Sequence, residues 1–313
     1  MSDQHSHGAG SALGVTHDVG SALTVRAGAT EIARYVYAPD FPALEARKPY
    51  IHPLRALDGA LVSTYRPWDH RWHKGLQMTY SEVSGENFWG GPTFREGSYH
   101  QLDNVGRMHH TGLPGLEVTD EEALVTETLE WITAAGERWV EETRRLRFHG
   151  VDRDAGEWVL DFATSLTNVR GSDLVLGSPT TNGRPNAGYT GLFWRGPRAW
   201  TGGEIIADGG RGGEEMMGER GPWLALTGRH DGVDGAGTLL FFAGTSSAEV
   251  PITWFVRSQP FAAVNPSPSF DTEVTLPPGE TLELTHRVVV IDHAPGREGL
   301  EAVAARLAPP AAT

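Results

Sequence analysis

Two stretches of the chain alternate apolar and polar residues with a period of two. Over Glu157–Asn168, Trp158, Leu160, Phe162, Thr164 and Leu166 fall on one side, and Glu157, Asp161, Ser165 and Thr167 on the other. Over Thr281–Ile291, Leu282, Leu284, Val288 and Val290 oppose Glu283 and Arg287. Successive side chains of a strand point to opposite faces, so both patterns predict half-buried antiparallel strands. Trp139–Phe148 keeps the period but places Glu142 and Arg144 beside Leu146 and Phe148, opposite Glu141, Arg145 and Arg147. Two readings are open for such a strand: one side of a sheet lining a wet, charged groove, or an edge strand guarded by charge. Helical spacing is sparse. In Glu298–Leu307, Leu300, Val303 and Leu307 recur at amphipathic intervals, which predicts a terminal helix packed on a sheet.

Between the apolar runs stand 39 Gly and 20 Pro, the punctuation of many short strands. Neither a tandem repeat nor an interdomain linker is visible, and a large sandwich reaches 313 residues as one domain. The expected fold class is therefore all-β, mainly antiparallel: a large β-sandwich spanning residues 21–313 with a short C-terminal helix. Residues 1–20, rich in His, Gly and Ser, are expected to form a flexible tail. His5, His7 and His17 in that tail suit adventitious metal pick-up more than a functional site.

The formal net charge of -14 opposes nucleic acid or an anionic membrane surface as a partner. No apolar run approaches the roughly 20 residues of a transmembrane helix. The N-terminal residues MSDQHSHGAGSALG lack a secretion signal, so a cytoplasmic location is expected. Zero cysteines exclude disulfides, thiolate ligands and a Cys nucleophile. A homo-oligomer stays open. Gly209–Gly213 has neither the spacing nor the context of a nucleotide-binding loop, and G-x-S-x-G is absent.

Candidate chemistry concentrates in Tyr50–Gly91, where His52, Arg55, Arg66, Asp69, His70, His73 and Lys74 mix with Trp68, Trp72, Phe88 and Trp89. Ionisable groups are costly to desolvate, so this mixture points to a cleft lining rather than a core. His70 and His73 are the leading acid–base candidates, with Lys74, Arg55 or Arg257 available to stabilise negative charge. In an extended loop His70 and His73 diverge; in a tight turn they converge. His52 precedes a proline and favours extended backbone, as a third catalytic candidate at a strand end. Trp68, Trp72 and Trp89 suit the apolar faces of sugars, while Asp69, Arg55, Asn186, Arg195 and Arg257 suit hydroxyls. Trp139, Trp158 and Trp254 lie in strands and read as core.

A second cluster, Thr181–Arg195, carries Asn182, Arg184, Asn186, Tyr189 and Arg195 in a loop leading into a strand. The loop Arg211–Arg220 offers Glu214 or Glu215 as a base or lid residue, though a surface loop explains it as well. A divalent metal is a rival reading: His70 and His73 with one of His100, His109 or His110 and a carboxylate would complete a site.

The series Ile51-His52-Pro53-Leu54, Asp69-His70, His73-Lys74-Gly75-Leu76, Asn87-Phe88-Trp89, then Trp254, Arg257, Pro260-Phe261 and Asn265-Pro266, resembles the bacterial PmoA-like family. The resemblance spans roughly residues 30 to 293, with H-x-x-H-K-G its most specific part. It implies a large sandwich like that of galactose mutarotase and a role in carbohydrate metabolism. The oxygenase suggested by the family label needs apolar spans that this chain lacks. Relatives tend to carry a D-H-P-x-N-like loop after the strand at Gly237–Leu240, where this chain reads Phe241–Ser247 without histidine or carboxylate. The expected function is carbohydrate or polyol chemistry of epimerase, lyase or hydrolase type, with a non-catalytic sugar-binding protein and a His-ligated metal enzyme as alternatives.

Overall fold

The computed structural model describes residues 12–309 and contains two eight-stranded antiparallel sheets. The first runs, in spatial order, Leu13–Asp18, Ala22–Ala27, Thr30–Val36, Tyr50–Leu54, Leu76–Thr79, Gly191–Arg195, Ala263–Ser267 and Thr253–Arg257. The second runs Glu204–Ala207, Trp223–Arg229, Ala236–Ser246, Thr281–Ile291, Glu157–Asn168, Arg138–Asp152, Glu122–Ile132 and Arg107–Val118. One apolar cluster draws on both sheets, with Leu23, Val25, Leu76 and Trp194 from the first and Trp158, Leu160, Leu284 and Val288 from the second. The architecture is the expected antiparallel sandwich.

The alternating stretches become strands with the bounds that their periodicity predicts. Trp158, Leu160, Phe162 and Leu166 face the shared core, as do Leu282, Leu284, Val288 and Val290. Val159, Val289 and Ile291 point to the other side of the second sheet, where the helix Gly296–Leu307 covers them with Leu300 and Ala304. No helix among the described residues is long and apolar enough to cross a membrane. Trp139, Trp158 and Trp254 are buried, as expected.

Two expectations need correction. Residues 13–18 are a strand paired with Ala22–Ala27, and His17 Nε2 lies 2.8 Å from the Tyr37 hydroxyl, so the chain is ordered before residue 20. His5 and His7 lie outside the described residues. Where relatives tend to carry a D-H-P-x-N-like loop, Phe241–Ser246 belongs to the strand Ala236–Ser246, with a register shift between Phe242 and Thr245.

The second correction concerns Trp139–Phe148. This segment is not an edge, because it pairs on both sides, with Glu122–Ile132 and Glu157–Asn168; its exposed face carries Glu141, Arg145 and Arg147, while Glu142 and Arg144 turn inward. Glu142 and Arg144 are buried and satisfy each other: Arg144 Nε donates to Glu142 Oε1 at 2.8 Å. Trp131 Nε1 and Thr164 Oγ1 also donate to Glu142, at 2.7 and 2.8 Å. Arg144 Nη1 donates to the Tyr35 hydroxyl across the layers at 3.1 Å, and that hydroxyl donates to Glu127. Burial opposes ionisation of Tyr35, Glu127 and Arg144, but the carboxylates beside Arg144 outweigh it there and keep the guanidinium charged; the network persists because nearly every donor meets an acceptor. It ties Tyr35 of the first sheet to Arg144 of the second, fixing their mutual register. Removing one member of a buried pair strands the other charge, at a cost of about 3–5 kcal/mol. The variant R144A should lose stability of that order in urea titrations; a loss below about 1 kcal/mol would show that the cluster is dispensable.

Candidate active site

The strands Gly191–Arg195 and Thr253–Arg257 are buried on both faces. Leu192, Trp194, Trp254 and Val256 enter the inter-sheet core. Their alternates, Phe193, Arg195, Phe255 and Arg257, project from the opposite face of the first sheet, where Trp89, Phe193 and Ala263 with Trp72, Tyr189 and Phe261 form a separate aromatic cluster. A cleft of about 380 Å³ opens there. Its walls are Trp72, Trp89, Tyr189, Phe193, Phe255 and Phe261. His70 and His73 stand on one part of the lining, and Arg184, Arg257 and Tyr99 on another.

The histidine loop folds as two successive turns: His70 N donates to Pro67 O and His73 N to His70 O, both at 3.0 Å. Positions three apart therefore converge, and the imidazoles stack with centroids 4.8 Å apart and planes 20° from parallel. Gly75 closes the loop at φ +66, where a Cβ would lie 2.3 Å from Ile51 O, so only glycine fits this contact. Asn87 shapes the facing turn by accepting from Trp89 N and Gly90 N at 2.9 and 2.8 Å. Gly91 packs under the Trp72 ring, which a Cβ would meet at 2.7 Å.

Polar partners assign the tautomers. His70 Nδ1 lies 3.0 Å from Asp69 Oδ2. Burial alone would raise the Asp69 carboxyl, but bonds from His70 and Arg195 and from its own amide hold it at about 2. A carboxylate only accepts, so His70 Nδ1 carries hydrogen and its Nε2 keeps a lone pair. His73 Nδ1 lies 3.0 Å from Arg195 Nη1. A guanidinium only donates, so His73 Nδ1 accepts and Nε2 carries the hydrogen. Burial lowers both imidazole pKa values below 6.5, most strongly for His73, with His70 and Arg195 adding repulsion there. Both rings are neutral at pH 7. Side by side, the pair presents one proton acceptor and one proton donor.

Arg195 joins the two. Its Nη2 donates to Asp69 Oδ2 at 3.3 Å, and its guanidinium carbon lies 3.5 Å from the centroid of the Phe261 ring. Burial lowers its pKa to about 10, so it remains charged at neutral pH. Arg198 Nη2 adds a bond to Asp69 Oδ1 at 2.8 Å.

Several residues singled out from sequence lie elsewhere. Lys74 is buried on the far side of its loop, where Nζ donates to Glu45 and to Arg71 O and sits 4.3 Å from the Phe41 ring centroid. Glu45 also takes Arg66 Nη2 at 2.6 Å, so Lys74 anchors the loop and does not face the cleft. His52 bonds Ser63 Oγ at 2.8 Å and stacks on Tyr65, outside the lining; burial pushes it down to about 4. Arg55 donates to Gly59 O at 3.0 Å within its own turn. Trp68 is 79% exposed. Asn186 is an exposed turn residue at φ 52, a conformation asparagine tolerates, which explains its presence without a ligand. Glu214 Oε1 accepts from Ser258 N and Oγ at 2.7 and 2.6 Å, bracing the segment between Arg257 and Phe261. Among the described residues no group of three or more His, Asp or Glu is placed to hold a metal ion, and His110 is taken by Glu127 at 2.8 Å.

Tyr99, Phe193 and Phe255 belong to the lining without having been singled out from sequence. The two phenylalanines had a signal: the wholly apolar runs around them indicate strands covered on both faces. Tyr99 arrives on the hairpin Thr93–Arg95 and Ser98–His100, which sequence does not place.

No curated protein matches this chain. Among solved structures, galactose 1-epimerase from Lactobacillus acidophilus is 10% identical over 89% of this chain and 97% of its own, with a TM-score of 0.38. The alpha-galactosidase from Lactobacillus brevis is 12% identical over 85% of this chain and 39% of its own, with a TM-score of 0.40. An alpha-galactosidase from Geobacillus stearothermophilus, in complex with raffinose, is 15% identical over 85% of this chain and 40% of its own, with a TM-score of 0.38. The chain thus spans about two fifths of the length of either alpha-galactosidase. The motif resemblance to PmoA-like proteins remains a resemblance; what matches, over residues 22–305, is a family of unknown function, DUF6807. That match takes in every strand of both sheets but Leu13–Asp18, together with all the cleft residues, and the chain belongs to the DUF6807 family.

Proposed function

We propose that the cleft binds a carbohydrate or a related polyhydroxylated small molecule and transfers a proton to or from it. The observation that carries this reading is the stacked His70–His73 pair, with opposite tautomers set by Asp69 and Arg195. His70 Nε2 acts as the general base. His73 Nε2–H acts as the general acid or hydrogen-bonds an oxygen on which charge develops. Aromatic walls suit the apolar faces of a sugar ring, and cleft volumes of about 300–1,000 Å³ are usual for small-molecule sites. Of the three cations considered for charge stabilisation, only Arg257 lines the cleft. Lys74 and Arg55 support the scaffold instead.

A paired base and acid fits elimination, in which one carbon loses a proton while the departing oxygen gains one, or epimerisation, in which one carbon loses a proton and regains one on its other face while a neighbouring oxygen holds the charge between. The test is proton NMR of the purified protein in D₂O with a panel of hexoses, hexuronates, aldonates and polyols, following deuterium entry and product. The wild type should turn over at least one class. H70A and H73A should each lose about 10²–10⁴-fold in rate while retaining wild-type circular dichroism. Saturable binding with no exchange and no product across the panel would replace catalysis by sugar recognition. Wild-type rates in a folded H73A would remove that residue from the chemistry.

The lowered imidazole pKa values fix the sign of the pH profile. The base is neutral above its pKa, so activity should decline as acid protonates His70, with a midpoint below 6.5. The unfolded chain takes up protons at about 6.5 while these buried rings do not, so stability also declines as pH falls below that point. Rates are therefore compared where circular dichroism reports full folding. A rate that rises as pH drops through 6 would contradict the assignment.

A further inference from the structure

Two guanidiniums in the cleft lack an anionic partner. Asp69 is shared by Arg195 and Arg198, leaving no carboxylate paired with Arg184 or Arg257 among the described residues. Arg257 rests its guanidinium 4.9 Å from the Phe255 ring centroid and 5.6 Å from that of Phe261. Its Nε is buried with no hydrogen-bond acceptor. Glu214 is near enough to be felt by Arg257, but its Oε1 is taken by the amides and hydroxyl of Ser258 and Gln259. Arg184 donates to the Tyr99 hydroxyl, which lies 2.7 Å from the Tyr189 hydroxyl. These cations and phenols line the same cleft as His70 and His73.

A half-buried guanidinium without a counterion pays for desolvation with nothing in return, unless a ligand completes it. Positive charge in this cleft also runs against the chain's formal net charge of -14. A low-dielectric pocket of one sign concentrates ligands of the other. From this juxtaposition we infer that Arg184, Arg257 and Tyr99 form an anion subsite, and that the ligand is a sugar acid whose carboxylate docks there while its ring lies between the aromatic walls. The inference rests on the sugar-site reading above and narrows it. Two planar forks with phenol donors suit the planar, singly charged carboxylate. An otherwise aromatic wall offers little more to a phosphate dianion.

Binding is tested on the full chain by calorimetry at low salt, with Trp72 and Trp89 as fluorescence reporters. The probes are glucuronate, galacturonate and gluconate, the matching neutral hexoses, and inorganic phosphate. At least one sugar acid should bind about tenfold or more tighter than its neutral counterpart. R184Q and R257Q should erase that preference, and R257K should keep part of it. The H70A variant should retain it. Equal affinity for neutral and acidic sugars, unmoved by the arginine variants, would overturn the anion subsite and leave the sugar cleft standing. Phosphate binding as tightly as any sugar acid would overturn the carboxylate assignment. Absence of saturable binding by every probe would overturn both.

Discussion

A single buried guanidinium organises this cleft. Arg195 donates with one nitrogen to His73 and with another to Asp69, and it packs flat enough on Phe261 to approach its ring centroid to 3.5 Å. Through Asp69 it reaches His70 as well. Hydrogen-bond complementarity then leaves no freedom in where the imidazole protons lie. The carboxylate demands a hydrogen from one ring and the guanidinium denies one to the other. Two chemically identical side chains thus acquire opposite tautomers.

Rigidity around this arrangement comes from the layers beneath it. Arg195 sits on a strand whose alternate residues Leu192 and Trp194 are locked in the inter-sheet core, so its direction follows from the burial of its neighbours. The loop bearing the histidines is pinned from behind by Lys74, Arg66 and Glu45, a charge cluster facing away from the cleft. Lys48 holds the opposite wall, donating from Nζ to Glu45 O, Ala46 O and Trp89 O. Deeper still, Tyr35, Arg144, Glu142 and Glu127 join the two sheets. Charges that look functional in one dimension divide here into those that build and those that face the cleft.

That division marks how far the sequence is legible. Period-two alternation located the strands Glu157–Asn168 and Thr281–Ile291, because each has one face in the core and pattern follows burial directly. Density of His and Trp located the histidine loop as part of a cleft lining, since ionisable groups are costly to desolvate in a core. Direction within that loop was not legible: Lys74 follows His73 yet turns the other way, and the choice depends on Glu45, 29 residues earlier. Arg144 was misread for the same reason, its partners Tyr35 and Phe162 lying on other strands. Asn186 carried a turn's chemistry, which is indistinguishable by residue type from a ligand's. Phe193 and Tyr99 reach the cleft through tertiary placement alone.

The two-role imidazole pair is the claim on which the functional reading depends, and nitrogen-15 NMR of histidine-labelled protein at pH 7 addresses it without a substrate. Long-range nitrogen–carbon-proton correlations distinguish the tautomers of each ring. His70 should be neutral and protonated at Nδ1, and His73 neutral and protonated at Nε2. Identical tautomers, or a protonated imidazolium at either position, would contradict the account.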